Sequence, residues 1–166
     1  MFFLFLIACE GPTGPIGETG QQGSSGNDGT SDKQIRIEFE SFSNSTTDTA
    51  WIFTHPLTFI TNFNKDYYVG VDSLIFNVNI GSTNLNTNCI VELFNLTDNQ
   101  PINNSLLFTN DTTKFPYSIL GGKWCKSANL LNSFPNKEIT VAVRFKSDRY
   151  GTLVNINKGM LLLYRD

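Results

Sequence analysis

Ile139-Thr140-Val141-Ala142-Val143-Arg144-Phe145-Lys146 puts Ile139, Val141, Val143 and Phe145 on one side of an extended chain and Thr140, Arg144 and Lys146 on the other. Successive side chains of a strand point to opposite faces, so this period of two marks a half-buried β-strand with one wet side. Residues 35–40 repeat the pattern, with Ile35, Ile37 and Phe39 opposite Arg36, Glu38 and Glu40. Apolar, β-branched and aromatic runs at 50–54, 57–61, 68–80, 89–96, 106–109, 117–120 and 153–163 read as further strands. No window carries the 3.6-residue period of an amphipathic helix.

Turn chemistry separates these runs: Gly81-Ser82-Thr83, Thr97-Asp98-Asn99-Gln100-Pro101, Asn110-Asp111, Gly121-Gly122, Pro135-Asn136-Lys137 and Asp148-Arg149-Tyr150-Gly151. Short strands at this spacing predict an all-β antiparallel β-sandwich over residues 33–166, a length that buries roughly two-thirds of its unfolded surface. Eight or nine candidate strands favour a jelly roll over an immunoglobulin-like sandwich, as does the lack of a tryptophan laid out between paired cysteines.

The N-terminal part has a different logic. Residues 11–31 are seven consecutive Gly-X-Y triplets, from Gly11-Pro12-Thr13 and Gly14-Pro15-Ile16 to Gly29-Thr30-Ser31. Three polyproline-II chains wind together only where every third residue lacks a side chain, and a formed triple helix of this length is a rod of about 65 Å. Only Pro12 and Pro15 pre-order the triplets, so a flexible tether is the alternative reading. Upstream, residues 1–9 are apolar but far shorter than the ~20 residues of a spanning helix. They have the length of a signal-peptide core, and they end in Leu6-Ile7-Ala8-Cys9, which looks like a bacterial lipobox.

Cys9-Glu10-Gly11-Pro12 followed by glycine triplets resembles the short collagen-like lipoproteins of Bacteroidetes-type bacteria. The resemblance covers residues 1–31. It implies a segment 1–9 ending in a lipidated Cys9, a stalk or tether at 10–32, and a β-rich head at 33–166. It also implies a cell-envelope location, at the outer membrane or cell surface, with membrane lipid as one partner. A collagen stalk ahead of a jelly roll resembles the complement C1q and tumour necrosis factor architecture. Gly159-Met160-Leu161-Leu162-Leu163-Tyr164 is loosely similar to the last strand of C1q heads, and this implies a homotrimer.

With Cys9 given to lipid, Cys89 and Cys125 remain as an even pair for an oxidising compartment. A bridge between them closes a loop of about 36 residues and contributes roughly 3 to 4 kcal/mol. The alternative is a buried thiol at Cys89, inward with Val91 and Leu93. Net charge is −3, yet residues 1–113 hold 3 basic and 12 acidic groups while residues 114–166 hold 9 basic and 3 acidic. A mixed solvated surface, complementary subunit faces, or a basic cluster for an acidic glycan all fit that division. Nucleic acid does not, since it calls for a basic stripe over the whole domain.

No residue set forms a catalytic signature. His55 is the only histidine, Pro56 follows it, and no nucleophile motif frames Ser41 or Ser43. Glu38 and Glu40 share a strand face at a separation that glycosidases use, but they alternate as the wet side of an ordinary strand does. The expectation is a non-enzymatic protein with no cofactor and no metal site, although Asp98-Asn99 and Asn110-Asp111 offer oxygen ligands in loops. For a glycan or protein ligand the candidates are Trp124 and Tyr150, whose flat rings suit a pyranose, with Arg149 and Lys126 beside them. Fourteen phenylalanines show that aromatic rings also fill the core.

Overall fold

In the period-two stretch, Ile139, Val141, Val143 and Phe145 are all within 2 % of full burial, so the whole apolar side of that strand faces the core. The computed structural model describes residues 33–39, 44–112 and 122–165. The expectations at Cys9, at the triplets, at Glu40, Ser41 and Ser43 and at the 117–120 strand lie outside these residues.

The strands in chain order are β1 (Gln34–Glu38), β2 (Asn44–Thr46), β3 (Ile52–Phe53), β4 (Ile60–Phe63), β5 (Ser73–Ser82), β6 (Cys89–Asn95), β7 (Gln100–Pro101), β8 (Leu107–Thr109), β9 (Lys123–Lys126), β10 (Ile139–Ser147) and β11 (Val154–Tyr164). Among the described residues, three single 3₁₀ turns interrupt them, at Pro56–Thr58, Lys65–Tyr67 and Leu131–Ser133. All pairings are antiparallel and fall into two sheets. Sheet A runs β1-β11-β5-β9, with β2 also on β11; sheet B runs β3-β10-β6-β7, with β4 on β10 and β8 on β6.

The pairings are nested. The outermost strands pair first (β1 with β11), then β3 and β4 with β10, then β5 with β9, and innermost β6 with β7 and β8. An antiparallel ribbon rolled up in this order is a jelly roll, so the all-β jelly-roll sandwich expected from the sequence is the fold. Its core is the meeting of two inward faces: Leu74, Phe76, Val78, Ile80, Leu161 and Leu163 from sheet A, and Val91, Leu93, Val141, Val143 and Phe145 from sheet B.

Several local expectations are corrected. Residues 57–61 are not one strand, because Thr58 closes a turn with N–H and Oγ1 both donating to His55 O at 2.9 and 2.6 Å, and β4 starts only at Ile60. Residues 68–72 belong to a turn, and β5 begins at Ser73. Gly81 and Ser82, expected in a turn, complete β5 because Val154 and Asn155 pair with them. The short strands β2, β7 and β9 were not legible as period-two runs.

The register fixes the two ends of the sandwich. The chain enters where Gln34 pairs with Tyr164, and Arg165 N–H donates to Lys33 O at 2.9 Å. The opposite end, where Val154 pairs with Ser82 and Ser147 pairs with Cys89, carries the Asp148 to Gly151 turn.

Candidate functional site

The wet side of β10 carries Ala142, Arg144 and Lys146, and register extends this row across sheet B. Arg144 lies between Phe53 and Glu92, Ala142 beside Phe94, and Lys146 beside Ile90, which in turn faces Phe108. This outer face is aromatic where a solvated face would be polar. Phe53 is 42 % and Phe108 66 % exposed, and Phe53 packs edge-on against both Phe59 and Phe94, with centroids 6.3 and 5.4 Å apart.

Arg144 organises the face. Its Nε donates to Glu92 Oε1 at 2.7 Å, and its guanidinium lies 4.1 Å from the Phe94 centroid and 4.8 Å from that of Trp51. The two side chains are only 17 % and 10 % exposed, so the ion pair is largely desolvated among rings. Lys146 Nζ sits 4.8 Å from the Trp51 centroid and forms no ion pair among the described residues. Of the rings beside the pre-paired arginine, Phe53 is exposed, Trp51 half-buried and Phe94 buried, and Phe108 adds a second exposed ring across Ile90. Aromatics mixed with a paired arginine are the composition of an interface core.

The residues singled out from the sequence divide between two other places. Trp124 and Lys126 lie two apart on β9, at the edge of sheet A, where they pair with Asn79 and Asn77; Trp124 is 45 % exposed. Asn79 Oδ1 accepts from Asn157 Nδ2 at 2.8 Å, and Asn157 Oδ1 from Asn155 Nδ2 at 3.0 Å, so an amide ladder runs inward from Trp124. Arg149 and Tyr150 sit instead in the β10–β11 turn. That turn is pinned by Asn88, whose N–H and Nδ2 donate to the Asp148 carboxylate at 2.9 and 2.7 Å, and by Gly151 N–H donating to Thr47 O at 2.9 Å. Tyr150 projects from it 78 % exposed. No ring contact joins Trp124 to Tyr150 among the described residues.

Of the two readings of Cys89 and Cys125, a bridge or a buried thiol, the structure carries the thiols: both are free, and Cys89 is buried. Both point into the core, Cys89 from sheet B and Cys125 from sheet A. Cys89 Sγ is engaged by Asn155 O at 3.5 Å. Burial pushes the Cys89 thiol up to about 12, with Cys125 adding to the rise, and burial also raises Cys125.

The weighed catalytic and metal residues have structural partners. Glu38 lies between Arg36 and Lys158, at 2.6 and 3.0 Å. His55 is exposed and accepts the Leu57 N–H through Nδ1 at 3.2 Å. Asp98 accepts from Lys137 Nζ at 2.6 Å and Asn95 Nδ2 at 2.8 Å, and the Lys137 bond, seconded by Asn95, holds its carboxyl below the usual range. Among the described residues, no three His, Cys, Asp or Glu side chains gather as a metal site. No helix there is long and apolar enough to cross a membrane.

Fold and surface together define an antiparallel jelly-roll domain with an aromatic outer face on one sheet. A scan against protein-family models gives no match, and a search of curated proteins gives none. Among solved structures, the chain is similar to a glycoside hydrolase family 43 arabinoxylan arabinofuranohydrolase from Bacillus subtilis, crystallised in complex with cellotetraose. The TM-score is 0.44 at 15% identity, over 80% of this chain and 27% of that one, so the chain spans about a quarter of that protein's length.

Proposed function

We propose that this chain is a non-enzymatic cell-envelope lipoprotein, anchored through lipid on Cys9, whose jelly-roll head is trimeric and is displayed on a collagen-like stalk to a protein or glycan partner. The aromatic outer face of sheet B carries the reading. Phe53 and Phe108 leave large apolar rings exposed on either side of the charged row, and exposed apolar surface of this size marks interaction sites. A triple helix of seven triplets is short and poorly pre-ordered, so its chains need to be held together by another part of the molecule. A second copy of the head is therefore the occupant that fits the face.

Electrostatics favours covering this surface. Glu92 already neutralises Arg144, so burial leaves Lys146 as the one cation of the row to compensate, and that cation already lies over Trp51. In a closed three-fold ring the contact is heterologous, with each head presenting this face to a different surface of its neighbour. The end opposite the chain's entry, with Tyr150 and Arg149, then stays free for a partner.

Light scattering at several concentrations, on residues 10–166 beside residues 33–166, tests the proposal. Trimers are expected in both, with monomers on introducing Phe53→Ser and Phe108→Ser together. Monomers in both unaltered chains overturn the trimeric head and reduce the triplets to a tether. Export and lipidation are tested by mass spectrometry of the protein purified from bacterial envelopes, where Cys9→Ala is expected to abolish the lipid-bearing N-terminal peptide.

A further inference from the structure

At the end where the chain enters, a cleft of about 400 Å³ opens between two loops, the segment 65–71 after β4 and the segment 131–136 before β10. The geometry points to this cleft as a binding site for a neutral saccharide, separate from the aromatic face of sheet B and from Trp124. Its volume lies within the ~300–1,000 Å³ span of small-ligand sites.

The cleft is held rigid from both walls and from below. Asn64 Oδ1 accepts the Asp66 N–H at 3.0 Å, and Tyr68 N–H donates to Lys65 O at 3.1 Å, which fixes the first wall. Asn129 ties the second wall to β5: its Oδ1 accepts from the N–H groups of Leu74 and Leu131, each at 3.0 Å, and its Nδ2 donates to Asp72 O at 3.0 Å. Lys65 Nζ crosses the gap to Leu131 O at 3.0 Å. Beneath, Tyr68 stacks on Phe63 at 5.9 Å, and Phe63 packs edge-on against Phe134 at 5.1 Å. Binding to such a site orders few protein groups.

The lining then selects the ligand. Asn132 and Asn136 are exposed, and neither carboxamide bonds to any described residue. Each free carboxamide offers two donors and an acceptor, matching hydroxyl groups that both donate and accept. Tyr68, Val69 and Val71 supply apolar surface for C–H faces of a sugar ring. Lys65 and Asp66 cancel in charge and the lysine is already engaged by Leu131 O, so the cleft favours an uncharged polyhydroxyl ligand over an anion.

The test is amide-resolved NMR titration of the full chain with cellotetraose, xylotetraose, mannotetraose and chitotetraose. At least one sugar is expected to give saturable shifts at residues 65–71 and 131–136. The double variant Asn132→Ala, Asn136→Ala is expected to lose about tenfold or more in affinity, as two hydrogen bonds are removed. Its unfolding midpoint should hold, because both side chains are exposed and unbonded. Trp124→Ala is expected to bind as the parent does. Silence with all four sugars overturns the proposal, as do shifts that survive the double variant. Binding abolished by Trp124→Ala instead moves the sugar site to the edge of sheet A and overturns it equally.

Discussion

Arg144 and Glu92 form a pair that is bonded through Nε at 2.7 Å and nearly removed from water while standing on the outside of a sheet. Removing one partner from a desolvated pair strands the other charge, which costs far more than the pair itself contributes. Because both side chains keep some exposure, Glu92→Ala is expected to destabilise the head by about 1 to 3 kcal/mol, below the value for a fully buried pair. Replacing both, as Arg144→Met with Glu92→Leu, is expected to restore most of that loss. Urea unfolding of the parent and the two variants checks the order.

Gly122 and Gly151 both have positive φ, +145° and +80°, but they differ in surroundings. A Cβ on Gly122 meets Asn79 Oδ1 at 2.7 Å and Ile80 O at 2.8 Å, whereas one on Gly151 meets nothing within 4 Å. Gly151→Ala is expected to cost about 1 kcal/mol in backbone strain alone. Gly122→Ala adds a clash with β5 and is expected to cost about 2 to 4 kcal/mol. Equal losses in thermal unfolding would contradict the close packing of the chain against β5 before β9.

The contrast between these glycines shows where sequence reading ran out. Apolar alternation identified β10, and β6 and β11 within a residue or two, because each buries one complete side and the period is visible in the chain. It missed β9, whose Lys123-Trp124-Cys125-Lys126 has only Cys125 facing the core. It missed β7 because Gln100 and Pro101 also read as turn residues. The aromatic face was missed for a related reason: Phe53, Phe94 and Phe108 were indistinguishable from core rings among fourteen phenylalanines. The signal was present in Glu92 and Phe94 two apart on β6, since a ring sharing a strand side with a carboxylate points away from the core. Which strand sides join into one surface is set by register, and periodicity does not carry register.

Cys89 gives a pH signature with a definite sign. Its folded pKa of about 12 lies above the ordinary value of 9.0, because burial disfavours the thiolate. The thiol's contribution is therefore fully present below pH 9 and lost as pH rises from there toward 12, where the unfolded chain releases its proton first. The thermal midpoint of the parent is expected to fall more steeply across that window than that of Cys89→Ala, measured without oxidant. Iodoacetamide at pH 8 is expected to label Cys125 first, since Cys89 is buried.

Phe145 and Phe108 belong to the same sheet and point to opposite sides, which separates folding from association. Phe145 is fully buried between the sheets, and Phe145→Ala is expected to cost about 3 to 5 kcal/mol through lost transfer energy and the cavity left behind. Phe108 is two-thirds exposed on the short strand β8, so Phe108→Ala is expected to change the stability of the isolated head by less than about 0.5 kcal/mol. If the aromatic face joins three heads, the same substitution weakens the trimer, lowering its mass at dilute concentration while the urea midpoint of the dissociated chain holds. Were Phe108→Ala to unfold the head instead, the ring would be a structural anchor for β8 and the face would lose its claim as an interface.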